Sequence, residues 1–230
     1  MKEKGILFNS EMVKAILDGR KDTTRRLNGL HEINKNPDEW TLDSFEMNPV
    51  LMAWDKNGDT YPKIMDGLIA TFEHNELGEV YRNIKCPYEI GMRLWVRETW
   101  GIEGGRENVF FYKADCTDRD LSSGGIFCKE TGWLWHPSIY MPREAARLFL
   151  TVKDIRIERL QEITEDDAIK EGVGDPYNYQ HPEYYDQKQF EGVEINKCAF
   201  AGLWDSINLK RGCGWNTNCW VWAVEFEVVK

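Results

Sequence analysis

WVWAVEFEV, at residues 220–228, is the stretch of this 230-residue chain that decides the fold most directly. In an extended chain, successive side chains point to opposite faces, so every second residue shares a face. Aromatic and β-branched residues occupy one face: Trp220, Trp222, Val224, Phe226 and Val228. Glu225 and Glu227 lie on the other face with smaller apolar residues. The pattern predicts a closing strand that packs one face against the core.

A second stretch, GMRLWVRETW at residues 91–100, has the same period of two. Its cationic and aromatic face carries Arg93, Trp95 and Arg97, and its other face carries Leu94, Val96, Glu98 and Trp100. We predict a strand here, with residues 109–113 as its hairpin partner. Residues 148–160 alternate more loosely and predict a further strand.

Three helices are predicted, one before these strands and two between residues 160 and 220. Ser10 offers a cap to the first, which Gly19 ends. Thr164, with Asp167 three residues later, begins a short helix that ends at Gly172 and carries Glu171 in its last turn. Residues 197–209 form the third. Separated strands with few helices indicate an α+β fold, a mixed β-barrel with flanking helices, and not a doubly wound sheet.

The length favours one domain over residues 1–230, enlarged by two insertions at about 27–89 and 115–135. Within the first insertion, the turn at residues 55–59 predicts a hairpin between residues 50–54 and 68–72. Residues 175–192 are predicted to be a loop.

Composition restricts the setting and the partners. No run approaches the roughly 20 apolar residues of a membrane span, and the first residues lack a signal-peptide pattern, so we expect a cytoplasmic protein. The six cysteines are scattered and form no CxxC motif. We therefore expect neither a metal nor a cofactor. Twenty-nine basic against 39 acidic residues give a net charge of −10, which opposes general attraction to nucleic-acid phosphates. Basic residues cluster, however, at 20–26, and a small basic pocket suits a nucleoside or a short single strand. The sequence leaves the oligomeric state open.

The segment GRKDTTRR at residues 19–26 resembles the G-x-K-[TS]-x-T-x-R signature of the ASCH (ASC-1 homology) family. Three further landmarks follow in the family's order: residues 91–100, residues 160–172 and the WVWAVEFE ending. The arrangement is most similar to ASCH-type proteins of phages and prophages, with which it shares PSI[HY]MPR and the LWDSIN…GW…WVW ending. The resemblance implies a PUA-like β-barrel that binds RNA or a nucleoside, in a bacterial host cell.

One ASCH branch, the N4-acetylcytidine amidohydrolases, is similar enough to imply catalytic residues. Its Lys, Thr and Glu fall on Lys21, Thr24 and Glu171. In that chemistry Thr24 is the nucleophile, Lys21 takes its proton, and Glu171 orients Lys21 or passes the proton to the leaving amine. Asp22 departs from the family's Thr or Ser, and a carboxylate beside Lys21 would favour its charged form.

The remaining candidates would bind the substrate. Arg26 would stabilise negative charge, Trp95 and Arg97 would stack on a base and contact phosphate, and Glu98 would read a cytosine amino group. The full set of binding candidates is Arg20, Arg26, Trp95, Arg97, Glu98 and Trp100. The structural alternative is a solvated basic turn and an outward strand face whose long side chains cover apolar surface.

Three functions therefore stay open. The first is recognition of RNA or a modified nucleoside in a basic cleft. The second is hydrolysis of an N4-acylated cytidine or a similar small amide. The third is a phage protein that docks other proteins, which the acidic balance and the large insertions favour weakly.

Overall fold

The computed structural model describes residues 2–54, 56–102, 109–116, 135–174 and 195–229. The strands are β1 (Glu3–Leu7), β2 (Thr23–Arg26), β3 (Trp40–Met47), β4 (Val50–Trp54), β5 (Thr60–Ile64), β6 (Leu68–His74), β7 (Tyr81–Lys85), β8 (Arg93–Arg97), β9 (Trp100–Ile102), β10 (Phe110–Tyr112), β11 (Phe149–Arg159) and β12 (Trp220–Val228). The α-helices are α1 (Ser10–Leu17), α2 (Glu165–Lys170) and α3 (Ile195–Asn208). Within these ranges every helix is too short or too polar to cross a lipid bilayer.

A five-stranded sheet organises the molecule, in the order β1-β8-β11-β12-β2. β1 runs parallel to β8, and the other neighbours are antiparallel. Because β2 and β12 are about 200 positions apart in the chain, the sheet joins both ends of the sequence. The alternation predicted for β8 is confirmed: Leu94 and Val96 are buried in the core, whereas Arg93, Trp95 and Arg97 are partly exposed on the other face.

β12 is buried more completely than its alternation predicts. Trp222 packs in the main core, with its ring centroid 5.8 Å from that of Phe45. On the opposite face, Val221 joins a second apolar cluster that includes Phe200 and Trp204 of α3. The first five residues of β12 are therefore buried on both faces, and only the far end, with Glu225 and Glu227, reaches solvent.

Residues 27–89 contribute several side chains to the main core, although their composition resembles a surface elaboration. They form a three-stranded sheet in the order β3-β6-β7. Phe72 of this sheet packs edge-on against Trp220, with ring centroids 5.1 Å apart. The predicted hairpin had the wrong partner, since β4 pairs with β5 and not with β6. The predicted elaboration at 115–135 and the predicted loop at 175–192 lie almost entirely outside the described residues.

The mixed α and β composition is confirmed, but among the described residues none of the sheets closes into a barrel. The two edge strands of the five-stranded sheet nevertheless approach each other. Arg26 of β2 donates through Nη2 to the Leu7 carbonyl of β1 at 2.9 Å. A side chain thus bridges a gap that backbone hydrogen bonds would close in a barrel.

One further local prediction was wrong, and another was right only in part. The cap of α1 is Asn9 and not Ser10, because the Asn9 side chain accepts from the Met12 amide. Residues 109–113 pair with only the end of the predicted strand at 91–100, because β10 pairs with β9, which begins at Trp100, and not with β8. The short helix was predicted correctly: Thr164 caps α2 by accepting from Asp167 N, and Gly172 follows in the left-handed conformation.

Candidate functional site

The C-terminal end of α2 lies against the turn that follows α1. Glu171 caps this end of α2 and forms an isolated antiparallel bridge with Lys21. Gly172 makes the close approach feasible, because a Cβ at that position would stand 2.6 Å from Lys21 Cβ and 2.8 Å from Ala15 Cβ. Two segments that are 150 residues apart in the sequence therefore meet side by side.

Lys21 and Glu171 form a buried ion pair. Lys21 Nζ lies 2.6 Å from Glu171 Oε2, and it also donates to the Glu171 and Thr23 carbonyls at 2.7 Å each. The Lys21 side chain has no exposed surface. Burial lowers the pKa of Lys21, and Glu171 opposes that shift. All three ammonium hydrogens thus have an oxygen acceptor, one of them ionic.

Arg25 holds the other side of Glu171. Its fully buried guanidinium donates to Glu171 Oε1 at 3.2 Å, to Asp167 Oδ2 at 3.2 Å and to Glu158 Oε1 at 2.9 Å. Burial raises the pKa of Asp167, but Arg25 and Arg156 outweigh it and hold that pKa below its usual value. Each Glu171 oxygen consequently has its own cation, which orients the carboxylate.

A cavity of about 490 Å³ opens beside this pair. The β1 and β2 side contributes Leu7, Thr24, Arg25, Arg26, Leu27 and Asn28. Helix α3 contributes the facing wall of Phe200, Leu203, Trp204, Ile207 and Asn208. Glu171 and Asn34 also line the cavity, together with Asn9, Met12, His31, Arg211 and Cys213. A short polar edge therefore faces a largely apolar and aromatic helix face.

Arg26 stands where the cavity meets the gap between the edge strands. Its guanidinium lies 4.8 Å from the Phe8 ring centroid and donates to the Leu7 carbonyl. Burial lowers the pKa of Arg26. Among the described residues its Nε atom has no hydrogen-bond partner, although it is shielded from solvent. A ligand oxygen would satisfy that donor.

The structure brings together some predicted site residues and separates others. Thr24, Arg26 and Glu171 line the cavity, and Lys21 adjoins it through Glu171. Arg20 does not join them, because its exposed side chain pairs with Asp18. Asp22 is exposed and accepts from the Thr23 hydroxyl, so the carboxylate that faces Lys21 belongs to Glu171 instead.

Trp95 and Arg97 lie outside the cavity lining, on the outer face of β8. The Arg97 guanidinium lies 5.3 Å from the Trp95 ring centroid. Arg97 Nη2 also donates to the Ile139 carbonyl. This face is next to the cavity because Arg97 pairs in register with Leu7, which lines it.

Glu98 and Trp100 belong to a separate cluster on the inner side. Glu98 is buried and accepts from Arg147 with both carboxylate oxygens, at 2.9 and 3.1 Å. Burial raises the pKa of Glu98, and Arg147 opposes that shift. Trp100 stacks on His136 with ring centroids 4.7 Å apart. Their contacts are those of packing and structural ion pairing, and neither residue lines the cavity.

The residues that sequence reasoning missed are Arg25, Asp167 and the α3 wall. Asp167 and Glu171 are four positions apart, which places both carboxylates on one face of α2. This spacing could have indicated from the sequence that the two act together. Phe200 and Trp204 have the same spacing, which is equally typical of a helix face that packs in the core. The resemblance implied that Glu171 contacts Lys21, but nothing in the sequence indicated that Arg25 would contact both carboxylates.

Among the described residues, His, Cys, Asp and Glu side chains form no group of three that could hold a metal ion. No protein-family model, no curated protein and no solved structure matches this chain.

Proposed function

We propose that the cavity binds a nucleoside, either free or as one residue of an RNA strand. One observation carries the proposal: Thr24, Arg26 and Glu171 line a cavity of about 490 Å³ opposite the aromatic wall of α3. Small-molecule sites typically occupy 300–1,000 Å³ and combine an apolar lining with a few placed polar groups. A nucleobase has flat apolar faces and polar edges, which matches that division.

The polar groups differ in what they have left to offer a ligand. Asn34 also lines the cavity, but its amide is engaged on both sides by the Trp220 backbone. The Arg26 Nε donor is unpaired among the described residues, and Thr24 is a hydroxyl-bearing residue of the lining. Arg26 is suited to a base carbonyl or a phosphate oxygen, and Glu171 to an amino group. The similarity of residues 19–26 and 160–172 to ASCH signatures supports the same proposal.

The test is calorimetric titration with cytidine and N4-acetylcytidine. Arg26→Gln removes the guanidinium from the cavity lining and should weaken nucleoside binding about tenfold, which is the loss of one charge-assisted hydrogen bond. Arg20→Gln is the matched control, because Arg20 is exposed and pairs with Asp18. It should bind as the unaltered protein does.

Two results would contradict the proposal. One is the absence of a binding signal for nucleosides with the unaltered, folded protein. The other is equal weakening by Arg26→Gln and Arg20→Gln, which would make the effect one of net charge and not of the cavity.

A second candidate function is hydrolysis of an amide on the bound nucleoside. It is favoured by the position of Thr24 in the same lining as Glu171, whose carboxylate contacts a buried lysine of lowered pKa. Lys21 would first pass one ammonium proton to Glu171 through their 2.6 Å hydrogen bond. The Thr24 oxygen would then attack the acyl carbon and pass its own proton to the Lys21 amine. The carbon–nitrogen bond would then break, the leaving amine would take up that proton, and water would release the acid from the threonine ester.

A further inference from the structure

The outer face of β1 and β8 is an ordered surface of arginine and aromatic side chains next to the cavity. In register, Glu3, Gly5 and Leu7 of β1 lie beside Arg93, Trp95 and Arg97 of β8. Gly5 is required there, because a Cβ would stand 2.9 Å from both Arg97 Cδ and Trp95 Cζ2. The missing side chain lets the Trp95 ring and the Arg97 stem lie over β1. We call the surface of Arg93, Trp95, Arg97, Arg143 and Phe149 the outer arginine face.

Aromatic rings hold the cations of this face in place. The Arg93 and Arg143 guanidinium groups each lie 4.4 Å from the Phe149 ring centroid. Both also pair with Glu3. Arg97 lies over Trp95. Guanidinium groups that stack on rings keep their edges available for bidentate contact with phosphate.

Counting the described residues, positive charge exceeds negative charge on this face. Glu3 is the carboxylate that pairs with its arginines, and Glu144 adds a second negative charge beside Arg143. Arg93, Arg97 and Arg143, with Arg26 nearby, outnumber them. The rest of the chain brings the net charge to −10, so this excess is a local exception. Such a surface attracts an anion only where the arginines are.

The face also has unused donors. Among the described residues, the Nε atoms of Arg93, Arg97 and Arg26 lack hydrogen-bond partners, although they are shielded from solvent in the unbound protein. Ile139 and Tyr140 next to Arg97 are exposed, which leaves an open apolar and aromatic border. Rings beside guanidinium groups are the features with which proteins hold unpaired bases and their phosphates.

The outer arginine face continues into the cavity through Leu7. Leu7 lines the cavity and pairs with Arg97 across the β1–β8 ladder. The Phe8 amide donates to the Arg97 carbonyl at 3.1 Å, and Arg26 donates to the Leu7 carbonyl at 2.9 Å. Arg97 and Arg26 therefore flank the same residue, with the face on one side and the cavity on the other.

From this continuity we propose that the outer arginine face binds the phosphates of a short single-stranded nucleic acid whose nucleoside occupies the cavity. This inference rests on the proposed nucleoside function, and it identifies the ligand as a nucleoside within a short single strand. A duplex does not fit as well, because its stacked bases could not reach the gap between the edge strands, and the acidic body would repel its second backbone.

The experiment compares cytidine with a five-nucleotide single-stranded RNA containing one cytidine, on the full chain, over a series of salt concentrations. The variant is Arg93→Gln/Arg97→Gln. Its matched control is Lys56→Gln/Lys63→Gln, which removes two exposed charges from the β4–β5 hairpin. Arg93→Lys/Arg97→Lys keeps the charge and guards against a folding defect, which thermal unfolding also reports.

We expect the unaltered protein to bind the RNA more tightly than cytidine. The glutamine variant should lose about tenfold in RNA affinity at low salt, and its salt dependence should fall by about 1.4 in log–log slope, or 0.7 for each lost phosphate contact. Its affinity for cytidine should not change. The lysine variant should keep the salt slope, and the control should behave as the unaltered protein.

Two results would show that the outer arginine face is not a phosphate site, while the cavity proposal stands. In the first, cytidine binds but the RNA binds no more tightly. In the second, Arg93→Gln/Arg97→Gln and the control Lys56→Gln/Lys63→Gln weaken RNA binding equally. If cytidine does not bind the folded protein at all, the proposed function fails, and this inference fails with it.

Discussion

At the scale of the residue, Lys21 and Glu171 depend on each other. A carboxylate at the C-terminal end of a helix is disfavoured by the helix dipole, by about 0.3–1 kcal/mol near a surface. Lys21 offsets this, because it donates to both the Glu171 side chain and the Glu171 carbonyl. Removing one member of a buried ion pair typically costs about 3–5 kcal/mol, since the other charge is left without its partner. A variant at either position would therefore test stability before it tests chemistry.

Thr24 is a sharper place to test catalysis, since the ion pair does not include its side chain. If the cavity hydrolyses an acylated nucleoside, Thr24→Ala should reduce cytidine release from N4-acetylcytidine at least about a thousandfold, as expected for loss of a nucleophile. Thr24→Ser should retain part of the rate. Release can be followed by chromatography with acetate measured in parallel.

Thr23→Ala is the matched control for this prediction. It removes the neighbouring hydroxyl, which donates to exposed Asp22 and does not line the cavity. Equal rates for Thr24→Ala and the unaltered protein would remove Thr24 as the nucleophile. No release by the unaltered protein would limit the cavity to binding.

At the scale of the element, the contact between α2 and the turn after α1 depends on Gly172. Gly172 and Gly19 have similar backbone angles, φ +74 and +71, but nothing lies within 4 Å of a Cβ at Gly19. Gly19→Ala should therefore cost only the left-handed strain, about 1–2 kcal/mol. Gly172→Ala should cost about 1–3 kcal/mol more, because the methyl group would overlap Lys21 and Ala15. Chemical denaturation of the two variants measures the difference.

Equal destabilisation by the two alanines would mean that α2 shifts without cost. The approach of Glu171 to Lys21 would then not be constrained by packing, which would weaken the case for a rigid site.

Strands and helices were predictable from the sequence where the apolar residues follow a single period. The periods of two in β8 and β12 and the cap of α2 identify these elements without knowledge of their neighbours. Strand partners were not predictable, as β4 and β10 show, because several runs of similar length and composition could satisfy the same pairing rules. Choosing among them requires knowing which face is covered by another layer.

At the scale of the whole molecule, the five-stranded sheet links β1 and β2 near the start of the chain with β12 near its end. Residues 27–89 add Phe45 and Phe72 to the same core. We therefore predict a single cooperative unfolding transition, with tryptophan fluorescence and far-ultraviolet circular dichroism giving coincident midpoints in denaturant. Two separated transitions would show that the β3-β6-β7 sheet unfolds independently of the five-stranded sheet.

The sequence by itself determined the alternation of the strands, the limits of the short helix and the clustering of basic residues at 20–26, because these depend on spacing along the chain. The expected resemblance to ASCH signatures singled out Lys21, Thr24 and Glu171 as candidates. Only the tertiary structure decided that Arg25 donates to the second carboxylate oxygen of Glu171 and that Arg26 connects the two edge strands of the sheet. It also decided that Arg20, Glu98 and Trp100 lie outside the cavity. The physical reason is that a charge is buried, paired or exposed according to which distant segments pack around it, and local spacing carries no record of those segments.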